Sequence, residues 1–413
     1  MTTNEFPRRK PSEVGSSNLI GRLRAASTRP SDLGGASPGA ISLAMGEPTE
    51  PTPKAVVDAA IAALRSGRTK YERISGSPSL RAHVAHRLNV EGCEAITPEN
   101  VVVTHGASAG LGATILSLVD PDDVVVLPEP TYSLYADQVV MAGGRVRWVP
   151  SAASGRPDLT QLEAAMAGSR LVIICNPNNP TGYVLAPDEL ARIVRLAGEH
   201  GAAVMVDEAY RDIVFEGSAF ASAAPLIAEN PHVVCCGTFS KSFAMTGWRL
   251  GWVLADRRLA QDINLVHRTI NGPLNTFVQD AAAVALRLPQ EHVDLVVKDL
   301  QDRRDMVCER LRDIPGVSLE VPRGSFYAFP RLGGSSVEWK ARLAEAGVLV
   351  RAGSEYGPTG EGHIRISFAL ETAQLRIGMD RFVDCVEQVL DREPGEETEF
   401  PHLVHVTRGS THG

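Results

Sequence analysis

Short runs of aliphatic and β-branched residues recur through the middle of the chain, and between them apolar positions fall at helical spacing. Val101–Thr104, Val124–Leu127, Arg145–Val149, Leu171–Cys175, Ala203–Asp207, Val233–Gly237 and Gly251–Leu254 read as strands. Ser108–Val119, Asp158–Ala167, Pro187–His200 and Thr276–Arg287 read as helices. This alternation predicts an α/β fold built on a doubly wound, mostly parallel sheet over residues 41–288. After a long helical pattern, Pro289–Asp313, the character changes. Strands expected at Val317–Leu319, Ser325–Phe329, Val348–Arg351 and His363–Phe368 alternate with helices at Ser336–Ala346 and Thr372–Val389. Residues 289–390 are therefore expected to form a smaller α+β domain, joined by part of the N-terminal segment. Residues 1–40, rich in Arg, Pro, Ser and Gly, read as a flexible arm, and 391–413 as a polar tail.

A length of 413 residues is too great for one small core and suits two domains. A net charge of −8 argues against nucleic acid or an anionic membrane as partner. No apolar run reaches the roughly 20 residues that a membrane span needs, and the first ten residues are polar with no apolar stretch after them, so no secretory signal is expected. Six cysteines without a C-x-x-C spacing read as reduced core thiols of a cytoplasmic protein. His83 and His86 lie three apart on an expected helix, but no third ligand accompanies them, so no metal site is expected.

The most informative segment follows the strand Val233–Gly237: Ser240-Lys241-Ser242-Phe243-Ala244-Met245-Thr246-Gly247-Trp248-Arg249-Leu250-Gly251. It puts a primary amine at the carboxyl end of a sheet strand, where open α/β folds collect ligands. A guanidinium follows in a glycine-punctuated loop. An amine for a carbonyl and a fork for a phosphate suit a cofactor carrying an aldehyde and a phosphate, pyridoxal phosphate (PLP).

Other motifs also fall at strand ends. Thr104-His105-Gly106-Ala107-Ser108-Ala109-Gly110 joins a strand to a helix and can cradle a phosphate on free backbone N–H groups. A dinucleotide-binding turn, with Glu129 as its acidic residue, is the alternative. Asn176-Pro177-Asn178-Asn179-Pro180-Thr181-Gly182 and Asp207-Glu208-Ala209-Tyr210 close two further strands, and Pro130-Thr131-Tyr132 follows a third. In His363-Ile364-Arg365-Ile366-Ser367-Phe368 a charge interrupts an apolar strand, which is costly unless the guanidinium meets an anion.

Together these segments, from about Ile41 to Val389, resemble the class I/II aminotransferases, the PLP enzymes of fold type I. The resemblance implies that Lys241 is the Schiff-base lysine and the base that moves the substrate's α-proton. It implies that Arg249, Gly106, Ala107, Ser108 and Thr238 hold the cofactor's phosphate, and that Asp207 faces its pyridine nitrogen. Asn179 and Tyr210 would donate to its phenolic oxygen, and Tyr132 would lie over its ring, where many members carry Trp. Arg365, with Gly46 and Asn179, would receive the substrate's carboxylate end. Tyr71, in Tyr71-Glu72-Arg73-Ile74-Ser75-Gly76, resembles a tyrosine that reaches the neighbouring subunit's phosphate and so implies a homodimer. The implied reaction moves an amino group from an α-amino acid to a 2-oxo acid. The alternative is elimination, γ-replacement or cyclisation, as in the aminocyclopropane-carboxylate synthases, which use S-adenosylmethionine. An aminotransferase-like effector domain of a transcription regulator would want a helix-turn-helix upstream, for which about 40 irregular polar residues are too few.

Overall fold

The computed structural model describes residues 17–28, 39–90 and 96–390. Seven strands form the main sheet: β2 (Val101–Thr104), β3 (Val124–Glu129), β4 (Arg145–Pro150), β5 (Leu171–Cys175), β6 (Ala203–Asp207), β7 (Val233–Thr238) and β8 (Gly251–Ala255). Their order is β2-β8-β7-β6-β5-β3-β4, with β8 antiparallel to both neighbours and every other pair parallel. Alternate side chains enter opposite cores. Val204 and Val206 pack with Leu190 and Ile193 on one face. Met205 packs with Leu111 and Ile263 on the other. Helices therefore cover both faces, as wholly apolar parallel strands require.

Local chemistry sets the element ends. Asp158 caps the helix Leu159–Met166 by accepting from the backbone N–H groups of Thr160 and Gln161. Pro187 occupies the first position of the helix Pro187–Glu199, where its missing N–H is not needed. The helix Leu134–Ala142 stops at Gly143, whose φ of 89° closes the last turn in the left-handed region.

A third core lies apart from the main sheet. It gathers Leu43, Phe326, Tyr327, Leu343, Ile364, Ile366, Phe368 and Phe382. Two small sheets frame it: β1 (Ile41–Ser42) runs parallel to β10 (Val348–Leu349), and β12 (Ile364–Ser367) lies between β9 (Tyr327–Ala328) and β11 (Arg351–Ala352). The helix Gln290–Arg312 connects the cores. Val293 packs with the main-sheet core, whereas Leu300, Val307 and Leu311 pack with the smaller one.

The structure corrects the sequence reading in this C-terminal part. The strand expected at Val348–Arg351 is two strands, because the chain changes sheets at Val350. No strand forms over Val317–Leu319; only an isolated bridge joins Ser318 to Arg331. Within the segment 1–40 read as an arm, Asn18–Ala26 form a helix. The Ser27 hydroxyl just after it donates to Asp137 at 3.0 Å, and that of Thr28 to the Glu355 carbonyl at 3.0 Å. Residues 391–413, read as a polar tail, lie outside the described residues.

No helix among the described residues is long and apolar enough to cross a membrane. Nor do they contain a group of three or more His, Cys, Asp or Glu side chains able to hold a metal ion. Cys175, Cys235, Cys236, Cys308 and Cys385 are free thiols.

Candidate active site

The carboxyl ends of β5, β6 and β7 open into a small cavity. Ala107, Ser108, Tyr132, Tyr135, Asn179, Asp207, Tyr210, Thr238, Ser240, Lys241 and Arg249 all line it. Nine of the residues singled out from the sequence line it, and Gly106 packs on Arg249 beside it. The side chains come from separate strand ends because a parallel sheet presents its carboxyl ends along one edge.

Lys241 sits where the chain leaves β7. Its Nζ donates to the carbonyl of Gly46 at 2.6 Å and lies 5.9 Å from the Tyr210 ring and 5.7 Å from that of Phe326. Burial pushes its ammonium down to about 8, and the Arg365 and Arg249 cations push the same way, while Glu47 and Asp207 oppose them. Gly46 allows the crossing chain to come this close. A Cβ there would overlap the Tyr327 hydroxyl.

Asp207 ends β6 with almost no exposure. One carboxylate oxygen accepts the Tyr135 hydroxyl at 2.7 Å, and the other accepts the Ala209 N–H at 3.0 Å. Burial raises its carboxyl above the usual range, and the hydrogen bonds and Lys241 resist that rise. The Tyr210 phenol, 3.0 Å from that of Tyr327, is pushed well above its usual range by burial and by this neighbour, and remains a neutral O–H.

The opposite wall is cationic. Gly106 begins the helix Gly106–Leu118 with φ of 75°, and His105 before it supplies no side-chain cap. The first N–H groups of this helix therefore point out of it uncapped, a setting that favours an anion. A Cβ on Gly106 would stand 2.7 Å from Arg249 Nη2, and one on Gly251 would stand 2.6 Å from the Ala107 nitrogen. Glycine at both positions lets the guanidinium and the helix start meet. The Thr238 hydroxyl donates to Ser240 Oγ at 2.9 Å.

Arg365 reaches the site from β12. It is 5% exposed, yet its partners are neutral: Nη1 donates to Asn179 Oδ1 at 3.2 Å and Nη2 to the Ala44 carbonyl at 2.6 Å. Its Nε has no partner. The guanidinium carbon lies 4.1 Å from the Tyr327 ring centre and 5.1 Å from that of Tyr356. A buried cation without a carboxylate and with an orphaned donor is a receptor for an anion.

Tyr71 does not join this group. Its ring is 90% exposed, between the helices Lys54–Arg65 and Pro78–Val90. Sequence reasoning missed Tyr135, Tyr327 and Ser240. Tyr135 lies in a mostly apolar helix, and Tyr327 meets Tyr210 across 117 residues of chain. Ser240, beside the lysine, carried a signal that could have been read.

The donor set tests a pyridine aldehyde phosphate well. An uncapped helix start with Arg249 suits the phosphate, buried Asp207 suits a protonated ring nitrogen, and an amine held near 8 suits a carbonyl.

A family model described as aminotransferase class I and II matches residues 38–382. The aspartate aminotransferase of Pyrococcus horikoshii is 34% identical over 360 residues, which cover 84% of this chain and 90% of that protein. The aromatic-amino-acid aminotransferase 2 of Thermococcus litoralis is 34% identical, covering 86% of this chain and 94% of its own. The crystal structure of an aromatic aminotransferase from Pyrococcus horikoshii superimposes with a TM-score of 0.82 at 31% identity, over 90% of this chain and 99% of that one.

Proposed function

The chain belongs to the class I and II aminotransferases, enzymes that carry an amino group from an α-amino acid to a 2-oxo acid, and we propose that it does so at the Lys241 cavity with PLP as cofactor. The observation that carries the assignment of the site is the convergence of Lys241, Asp207 and Arg365 from three separate parts of the chain.

Bound there, PLP supplies an electron sink for the bond broken at the substrate's α-carbon. Arg249, the N–H groups of Ala107 and Ser108, and the Thr238 hydroxyl would hold its phosphate. Asp207, fixed by Tyr135, would meet the ring nitrogen and keep a proton on it. Tyr210 and Asn179 would donate to its phenolic oxygen, and Tyr132 would offer its ring to the cofactor's. Arg365 grips the substrate carboxylate bidentately and so orients the α-hydrogen toward Lys241. Lys241 Nζ, as a neutral amine on that side of the cavity, would take the α-proton and hold it for return on the same face. Its depressed basicity makes the neutral amine available near neutral pH.

The exposed Tyr71 fits a homodimer in which this tyrosine completes the partner's phosphate site. The free thiols fit a cytoplasmic setting. The names of the relatives make acidic and aromatic amino acids the first donors to test. Elimination and cyclisation, raised by the same residue set, gain no observation of their own.

The test is a titration of the PLP-loaded protein with acidic, aromatic, basic and branched amino acids and S-adenosylmethionine, without oxo acid. One donor should bleach the visible band and release one 2-oxo acid per site. A different product accumulating with no oxo acid released overturns transamination.

A further inference from the structure

His267 lies on the helix Arg257–Asn271, fully buried, and has no part in the cavity described above. Its Nε2 accepts the backbone N–H of His105 at 3.2 Å and stands 3.3 Å from His105 Nδ1. The two rings stack with centres 5.3 Å apart and planes 27° from parallel. His105 is the residue from which the helix Gly106–Leu118 starts, directly before the turn that meets Arg249. Because Nε2 receives an N–H, the proton of the neutral ring must sit on Nδ1. That atom is buried without a partner. The ring thus leaves one donor unsatisfied while keeping an acceptor aimed at the start of the helix. Burial, helped by the neighbouring His105, holds the His267 imidazolium down to about 4, so the lone pair on Nε2 is present across the neutral range.

We propose that His267 is a positioning residue for the phosphate subsite: by fixing the His105 N–H it sets the direction of the next N–H groups, those of Gly106, Ala107 and Ser108, toward the anion beside Arg249. A helix start carries its anion on N–H groups whose aim depends on the residue before them. Here that residue has no side-chain cap to fix it, and an imidazole from a neighbouring helix does the fixing instead. The inference rests on the cofactor reading given above, since the phosphate is the anion concerned.

The test compares equilibrium affinity for PLP with that for pyridoxal, which lacks the phosphate, by absorbance titration of apo-protein. The variants are His267→Leu, His267→Gln and His105→Pro, each checked by circular dichroism melting. His267→Leu should weaken PLP on the order of tenfold, as for a buried donor left unpaired, with pyridoxal binding unchanged. His267→Gln, which keeps an acceptor, should restore most of the loss. His105→Pro removes the donor itself at a φ of −73° that proline accepts, and in that background His267→Leu should cost nothing further. Equal weakening of PLP and pyridoxal by His267→Leu, or none of either, overturns the inference while leaving the cofactor reading intact. A wild-type protein that does not favour PLP over pyridoxal overturns both.

Discussion

Lys241, partly buried, and Arg365, buried, are both cations at this site, and both donate at 2.6 Å to carbonyls of the same crossing segment, those of Gly46 and Ala44. Their chemistry diverges all the same. An ammonium can shed its charge, and burial drives Lys241 down to about 8. A guanidinium cannot, so Arg365 remains charged, spread between two tyrosine rings with one donor unpaired. The same desolvation therefore makes a base of one side chain and an anion receptor of the other. Residue type decides the role more than location does.

Removing either cation sharpens this contrast, most severely at Lys241. Lys241→Ala should abolish the visible band of the PLP-loaded protein and lower turnover by about 10⁴-fold or more, in single-turnover assays with the best donor. Wild-type turnover in that variant would end the proposed role. Arg365→Ala should keep the band but cost about 10²-fold in kcat/KM for amino acids, with Arg365→Lys recovering only part, because the fork is lost. A band that disappears in Arg365→Ala would mean that the two cations do not have separate tasks. A pH series separates them further. Only the neutral amine attacks a carbonyl, so PLP uptake by apo-protein should quicken about tenfold per pH unit below about 8 and level off above it. Stopped-flow absorbance reads this directly, and a plateau reached only above pH 10 would contradict the depressed Lys241. The smallest change falls at Asp207. Tyr135→Phe removes one of the two hydrogen bonds that hold its carboxylate and should lower kcat a few-fold, near 1 kcal/mol.

The two cations also differ in how readable they were. Arg365 stands out because a charge inside an apolar strand demands a reason, and Lys241 because it follows a buried strand within a long motif. Asp207 was legible likewise, as a polar residue closing an apolar run, and Asn179 through the Asn/Pro loop after the preceding strand. The main-sheet strands emerged within a residue or two, since continuous apolar runs covered on both faces leave little ambiguity. What was not legible depends on packing between distant segments. Tyr135 looks like a core residue until β6 brings Asp207 beneath it. The switch of sheets at Val350 depends on β1, some 300 residues earlier in the chain, coming to lie beside β10. Neither His105 nor His267 has a pattern that points to the other, because their contact arises from two helices meeting over the sheet edge.

The pairing of β1 with β10 bears on how the protein is made. A ribosome releases the lysine and its surrounding strands long before Val348 and Arg365 have been translated. Until then Ile41 and Ser42 have no strand to join, and the Ala44 carbonyl lacks the Arg365 donor that holds it. A nascent or prematurely terminated chain can thus contain the reactive amine without the parts that orient a substrate, and only translation through the last strands yields a working enzyme.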